Sequence, residues 1–194
     1  TDAEGRGVGL CPLDSPLVSL DSPGCWKYSK DFVPRQSRVY VNLFNNQWTT
    51  NFRLWNGGTW TSRVRLWSAE GGDVAKTLVV PAAEARAPLV AGFAAEPGGQ
   101  LAAVQRGLAV SSPGTLVTTF GPNPDGAGTI IRLWECAGRG GDCEIRLPDG
   151  CPAATAQSVD LRGQPQGAPV AIQDGQFRAA VEPFAPSTFL LPAP

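Results

Sequence analysis

The sequence predicts an all-β protein whose main part is an antiparallel β-sandwich, and three observations lead to this prediction. Gly and Pro together account for 41 of the 194 residues (23 plus 18), which favours short elements joined by turns. Apolar residues alternate with polar ones, as at Val39 and Val41, rather than following the helical period. Asp-Gly turn signals separate the apolar runs, at residues 125–126, 149–150 and 174–175.

The C-terminal part of the sequence contains apolar runs at short and regular spacing. Within one of them Cys143, Ile145 and Leu147 are expected to face a core, with Glu144 and Arg146 facing solvent. Seven or eight short strands separated by turn signals are typical of a sandwich. The predicted strands cover residues 107–111, 115–120, 129–135, 143–147, 158–161, 169–172, 177–182 and 187–191.

The N-terminal part predicts a Trp-rich hairpin. Alternating runs at residues 39–44 and 60–67 flank an Asn-Gly-Gly sequence at 56–58, which favours a tight turn between paired strands. We expect this hairpin region to belong to an adjoining or larger sheet. The Ala-, Pro- and Glu-rich stretch that follows is expected to be a connection with room for one short strand or helix. The predicted division of the chain is 1–76, 77–106 and 107–194.

Composition argues against several classes of partner and site. The net charge of −1 gives no reason to expect a nucleic acid or an anionic membrane as partner. No apolar run approaches the roughly 20 residues that cross a bilayer. Histidine is absent, so a Ser-His-Asp or Cys-His nucleophile cannot be assembled within the chain, and the commonest zinc ligand is missing. We therefore expect neither a metal nor another cofactor in this chain.

The five cysteines leave two interpretations open. Cys136 and Cys143 flank a turn-forming stretch and could bridge neighbouring strands, and Cys11 could pair with Cys25. Such disulfides would favour an extracellular or periplasmic location. Alternatively, the cysteines are free thiols buried as small apolar side chains.

The segment from residue 39 to 67 is the candidate carbohydrate-binding region. It contains four of the six tryptophans, most of the asparagines and no acidic residue. Indole faces cover the C–H patches of sugar rings, and amides offer a donor and an acceptor to hydroxyls. The alternatives are that the aromatic residues form the core of a sheet and that the amides hold the loop through backbone bonds. The predicted stacking residues are Trp48, Trp55 and Trp60, and the predicted hydroxyl-binding residues are Asn45, Asn46 and Asn51.

Charged residues give further expectations. The span from residue 32 to 69 has five arginines and no carboxylate, so a glycosidase acid pair has no partner there and this region is expected to bind sugar without cleaving it. Asp14 and Asp21, each in a Leu-Asp-Ser-Pro sequence, are expected to cap turns, with ligand contact as the alternative. Arg132 and Glu135 are expected to stabilise the fold as a charged pair, with ligand binding as the alternative.

Several segments resemble the region downstream of the catalytic part in bacterial glycosidases related to glycoside hydrolase family 38, the α-mannosidases. Residues 41–52, VNLFNNQWTTNF, resemble the NLFNNxWxTNF segment of those enzymes. Trp134 replaces a more usual Tyr or Phe, and Ala185-Pro186 stands where the closing strand often has an acidic residue. The other similar blocks are residues 11–18, 22–32, 129–135 and 181–191.

The resemblance implies a non-catalytic C-terminal accessory domain that braces the catalytic barrel of the same polypeptide. In that family the nucleophile and the zinc ligands belong to an N-terminal α/β barrel, which no part of this chain resembles, so zinc is expected only there. The absence of Met and the start at Thr1 likewise lead us to expect a processed protein or a piece of a longer one. The alternative functions are a free-standing carbohydrate-binding module or lectin-like domain, and a structural cell-surface β-sandwich without a ligand.

Overall fold

A computed structural model describes residues 4–24, 30–44, 55–93, 99 and 102–193. The chain divides into two compact units. Unit 1 comprises Thr1–Gly71 with Glu84–Pro88, and unit 2 comprises Gly72–Ala83 with Leu89–Pro194. Strands dominate both units, which confirms the predicted all-β class.

Unit 1 contains four strands in two separate antiparallel sheets. Strand β1 (Arg6–Pro12) pairs with β4 (Val64–Glu70), and β2 (Val18–Leu20) pairs with β3 (Val39–Val41). Within the described ranges β3 and β4 are not hydrogen-bonded to each other, so the hairpin predicted between them is wrong. Each strand pairs instead with a partner from the first 20 residues.

One face of the β1–β4 sheet is closed by an indole. Gly9 lies opposite Trp67 in the register, and a Cβ atom at residue 9 would overlap the Trp67 indole at Cε2, Cζ2 and Nε1. Cys11 and Ala69, which share this face by strand alternation, are buried. Glycine at residue 9 therefore permits the close approach of the indole to the strand.

A short helical segment follows β4. A π-helical turn, Ala75–Val79, continues directly into helix α1, Val80–Arg86. Helix α1 lies inside the stretch for which the sequence allowed one short helix. Arg86 donates a hydrogen bond from Nη1 to the carbonyl oxygen of Pro12 (3.1 Å), which connects the end of α1 to the end of β1 within unit 1.

Unit 2 contains eight strands in two antiparallel sheets. One has five strands in the order β10-β9-β12-β7-β6, and the other has three in the order β11-β8-β5. Every strand predicted after residue 107 is present, although β5 and β10 have only two residues each. The strands are β5 (Ala109–Val110), β6 (Thr115–Pro122), β7 (Thr129–Glu135), β8 (Gly141–Arg146), β9 (Thr155–Val159), β10 (Val170–Ala171), β11 (Gln176–Val181) and β12 (Pro186–Leu191).

The core of unit 2 lies between the inner faces of these two sheets. Alternate residues point inward, so the predicted burial of Cys143, Ile145 and Leu147 is confirmed. The five-stranded sheet contributes Phe189, whose ring meets that of Phe177 edge to face at 5.2 Å between centroids. The whole buried cluster consists of Ile131, Leu133, Cys143, Ile145, Leu147, Ala156, Phe177, Val181, Phe189 and Leu191.

Candidate functional site

The predicted carbohydrate-binding set falls mainly outside the part of the chain that the structure describes. Asn45, Asn46, Trp48 and Asn51 belong to the segment 45–54, so their predicted roles stay predictions. Trp55 and Trp60 are described, and 81% and 65% of their surfaces are exposed. The Trp60 ring stacks on Phe44, with 6.1 Å between centroids and 23° between planes.

The tryptophans that the structure describes do not form a core. Besides Trp55 and Trp60, Trp134 exposes 49% of its surface and Trp67 is half-buried. The interpretation of the aromatic residues as core side chains is therefore wrong for Trp55, Trp60 and Trp134, whereas Trp67 packs across Gly9 on the face that contains the buried Cys11 and Ala69. Exposed indoles remain available to a ligand or to another protein surface.

Asp14 forms a bidentate ion pair with Arg63. Its Oδ1 accepts from Nη2 at 2.8 Å, and its Oδ2 accepts from Nε at 2.9 Å and from the Arg63 backbone N–H at 2.8 Å. These hydrogen bonds and the nearby positive charge lower the pKa of Asp14 to about 2. The expected turn-capping role is thus corrected, because the carboxylate holds a residue 49 positions away rather than its own turn.

Asp21 has a more local role. Its Oδ2 accepts a long hydrogen bond (3.3 Å) from the backbone N–H of Arg35, and its own backbone has a φ of 68°. Asp tolerates this left-handed conformation better than most residues do. Asp21 therefore occupies a turn, as the sequence predicts, and its carboxylate reaches across to the segment before β3.

Glu135 is a buried carboxylate that is satisfied by backbone groups. Its Oε1 accepts from the N–H of Ala137 (2.8 Å), and its Oε2 accepts from Gly138 (2.8 Å) and Phe184 (3.0 Å). The prediction of a charged pair between Glu135 and Arg132 is wrong, because Arg132 instead donates from Nε to the hydroxyl of Thr188 at 3.3 Å. The fold-stabilising role stands, but N–H groups from two loops provide it.

The pKa of Glu135 reflects this environment. Burial acts to raise it, but hydrogen bonds from the backbone N–H groups of Phe184, Ala137, Arg139 and Gly138 outweigh burial and hold the pKa below its ordinary value of 4.5. Gly138 has a φ of 75°, and a Cβ atom there would lie 2.5 Å from the Phe184 ring. Glycine is therefore required at residue 138 for both the conformation and the packing.

The cysteines of unit 2 favour the free-thiol interpretation. Cys136, Cys143 and Cys151 form no disulfide, so the predicted Cys136–Cys143 bridge is wrong. Cys143 faces the core, whereas Cys136 lies just beyond β7, where burial and the neighbouring Glu135 charge raise the pKa of its thiol. The predicted bridge from Cys11 depends on Cys25, which lies outside the described residues.

The second face of the β1–β4 sheet is apolar and exposed. Leu10 lies opposite Leu66 in the register, and Val64 and Val8 project from the same face. Val8 exposes 73% and Leu66 63% of its surface. We call Val8, Leu10, Val64 and Leu66 the unit 1 apolar face; the sequence shows its alternation, but only the pairing of β1 with β4 brings the four residues together.

A groove of about 740 Å³ adjoins this face within unit 1. Val8 and Leu10 line one wall, and Leu20 and Val39 of the β2–β3 sheet line the other. Three arginines stand along it: Arg6, Arg35 and Arg38. In the described part of the chain Arg6 pairs with Glu4, while Arg35 and Arg38 form no ion pair. An apolar groove with a basic rim is complementary to an apolar segment that carries carboxylates.

No cluster of three or more Cys, Asp or Glu residues able to hold a metal ion occurs among the described residues. Over the same ranges, no helix has the length and apolar character needed to cross a membrane.

Comparison with known proteins gives one match, which lies in the sandwich of unit 2. Neither the curated proteins nor the solved structures yield a match to the chain. One family model does match, over residues 115–189, which run from the start of β6 into β12. Its description is the C-terminal beta sandwich domain of glycosyl hydrolases family 38, so the predicted resemblance to these enzymes is confirmed over residues 115–189.

Proposed function

We propose that the chain is a non-catalytic accessory β-region of a family 38 glycoside hydrolase, and that unit 1 braces the catalytic part of the same polypeptide. The family match over residues 115–189 supports the coarser part of this proposal, a C-terminal accessory sandwich of such an enzyme. The observation that supports bracing is the exposed unit 1 apolar face.

The physical argument for bracing rests on incomplete burial. Two-stranded sheets are marginally stable in water unless their apolar face is packed against another layer. Full burial of a Leu or Val side chain contributes about 1.5 to 3 kcal/mol, so covering Val8 and Leu66 would stabilise both the sheet and its attachment. Arg35 and Arg38 beside the groove favour an occupant that carries acidic residues.

A single charge in the apolar face tests the brace. Leu66→Glu should leave the isolated chain folded, because the side chain is already exposed, but should weaken association with the catalytic part by about tenfold or more. The measurement is pull-down and titration of the separately expressed catalytic part with the 194-residue chain. Leu161→Glu in unit 2, where Leu161 is 71% exposed, is the matched control. Equal association of both variants would contradict the brace.

A carbohydrate contact near Trp55 and Trp60 is the second candidate function. Their exposure favours it, since indole faces that are open to solvent can stack on sugar rings. Replacing Trp55 by Ala should weaken binding by about 1 to 3 kcal/mol if it is an anchor. Titration of mannose oligosaccharides into the isolated chain separates the candidates, because affinity without the catalytic part favours a free-standing module and its absence favours the brace.

The proposal also predicts that the chain alone has no hydrolase activity. Neither candidate function supplies a catalytic residue from this sequence, which lacks histidine. Assay of the purified 194-residue chain with aryl mannosides should show no turnover above that of a blank purified in the same way from cells that do not express the chain. Turnover that persists through purification and follows the protein peak would overturn the non-catalytic assignment.

A further inference from the structure

The outer face of the five-stranded sheet in unit 2 contains a depression of about 280 Å³. Its floor follows from the strand register, in which Arg132 lies opposite Thr188 and Thr188 lies opposite Val159. Ile130 and Leu190 form the next row. The depression is therefore built on three adjacent strands, β7, β12 and β9, on the side of the sheet that faces away from the core.

Two turns form the walls of the depression, and each is held by side-chain hydrogen bonds. In the β6–β7 turn, Asn123 Oδ1 accepts from the N–H of Asp125 at 3.1 Å. After β9, Asp160 Oδ1 accepts from the N–H groups of Arg162 (2.8 Å) and Gln164 (2.9 Å). Walls that are already ordered reduce the entropy that a ligand would have to remove on binding.

The polar groups of the depression carry both signs of charge. Arg132 is held on the floor by its Nε hydrogen bond to Thr188, which leaves the rest of the guanidinium group without a carboxylate partner in the described residues. Arg162 likewise forms no ion pair there. The carboxylates of Asp125 and Asp160 also line the depression, so two arginines and two aspartates give a net charge of zero.

Trp134 extends the same surface. It follows Arg132 by two residues on β7 and so projects from the same outer face, roughly 7 Å further along the strand. Its 49% exposure leaves part of the indole open to solvent. An aromatic surface one sugar ring away from a polar depression is an arrangement that suits a chain of sugar rings.

We propose that this outer face binds a neutral carbohydrate, with one hexose-sized ring in the depression and the adjoining ring over the indole of Trp134. Sugar hydroxyls need donors and acceptors together, and the guanidinium and carboxylate groups offer both within one small space. An anion such as phosphate would meet the two arginines but also the two aspartates, so charge alone does not favour it. This surface belongs to unit 2 and does not depend on the unit 1 apolar face.

The test is titration of the full 194-residue chain followed by NMR. The neutral probes are methyl α-mannopyranoside, methyl α-glucopyranoside and their α-linked disaccharides, mannobiose and maltose, and the anionic probe is inorganic phosphate. At least one hexoside should shift the amide signals of Asn123, Asp125 and residues 160–164. Its disaccharide should bind about 3- to 10-fold more tightly than the monosaccharide, because of the added contact with the indole.

Variants separate the two halves of the surface. Trp134→Ala should remove the advantage of the disaccharide and leave the affinity for the monosaccharide unchanged. Arg132→Lys, which keeps the charge but removes the planar fork, should weaken both by about tenfold. Gln164 also lines the depression, so Gln164→Ala, on an exposed turn, should likewise weaken both and replaces Arg132→Lys if that variant fails to fold. Arg178→Lys is the control, since Arg178 lies on β11 of the three-stranded sheet, and Trp60→Ala reports separately on the carbohydrate contact considered for unit 1.

Several results would overturn the proposal. They are the absence of any shift with all four sugars, tighter binding of phosphate than of any sugar, and an unchanged disaccharide advantage in Trp134→Ala. Loss of sugar binding in Trp60→Ala would instead assign the contact to unit 1.

Discussion

Unit 1 and unit 2 are both built from antiparallel strands but differ in how much of the strand surface they bury. Unit 2 closes two sheets around a cluster of ten buried residues. In the described part of unit 1, the buried apolar side chains are only those of Cys11 and Ala69, and Val8 and Leu66 are largely exposed. The difference teaches that unit 2 contains both layers of a sandwich, whereas the described residues of unit 1 leave one face of the β1–β4 sheet exposed, which is the basis of the proposed brace.

Replacing one leucine in each unit gives the largest expected effect. Leu133→Ala removes a fully buried side chain and should lower the free energy of unfolding of unit 2 by about 2 to 5 kcal/mol. Leu66→Ala should change stability by no more than about 0.5 kcal/mol in the isolated chain. Denaturant unfolding of both variants measures the contrast. Equal losses would mean that Leu66 is already packed in the isolated chain.

The buried carboxylate of unit 2 gives the next effect. Glu135→Gln presents an NH₂ group to backbone N–H donors and should cost about 1 to 3 kcal/mol. Because the folded-state pKa lies below the ordinary value of 4.5, this contribution is fully present above that value and is lost as the pH falls through the folded-state pKa. Unfolding midpoints measured from pH 7 down to pH 3 should therefore fall more steeply for the wild type than for the variant.

An exposed glutamate of unit 2 provides the matched control. Glu182 is exposed, so Glu182→Gln should keep both the wild-type stability and its pH dependence. If the two glutamine variants behave alike, the N–H groups around Glu135 do not stabilise unit 2 in the way proposed.

The exposed ion pair of unit 1 gives the smallest effect. Arg63→Ala should return the pKa of Asp14 from about 2 towards its ordinary value of 3.8, because both the hydrogen bonds and the positive charge are removed. The contribution of the pair is present above pH 3.8 and is lost as the pH falls through about 2. Carboxyl chemical shifts measured against pH report this change. Arg65→Ala, two residues away, should leave the Asp14 titration unchanged.

The strands of unit 2 could be predicted from the sequence because alternation and turn signals are local. Cys143, Ile145 and Leu147 show the pattern within five residues, and turns follow at fixed positions. In unit 1 the sequence indicated β3 and β4 but not their partner strands β1 and β2, and the pairing of β4 with β1 connects residues more than 50 positions apart. The Asn-Gly-Gly signal at residues 56–58 is local as well and favoured the wrong partner.

The misassigned pair on β7 has a similar explanation. Arg132 and Glu135 are close in sequence and opposite in charge, which suggests an ion pair. On a strand, however, residues three apart project from opposite faces, so Glu135 lies on the inner side with Leu133 while Arg132 shares the outer side with Trp134. Strict use of the two-residue period would have found this arrangement. The Phe184 N–H that binds Glu135 comes from a distant loop, and no sequence signal indicates it.

The Trp67 indole, which lies across Gly9, distinguishes the two faces of the β1–β4 sheet. The Trp67 indole covers one side of the β1–β4 sheet at Gly9, and the exposed unit 1 apolar face lies on the opposite side. A residue larger than glycine at position 9 would displace the Trp67 indole, and the β1–β4 sheet would then have two exposed faces. The absence of a side chain at residue 9 therefore determines which face of the β1–β4 sheet in unit 1 stays exposed.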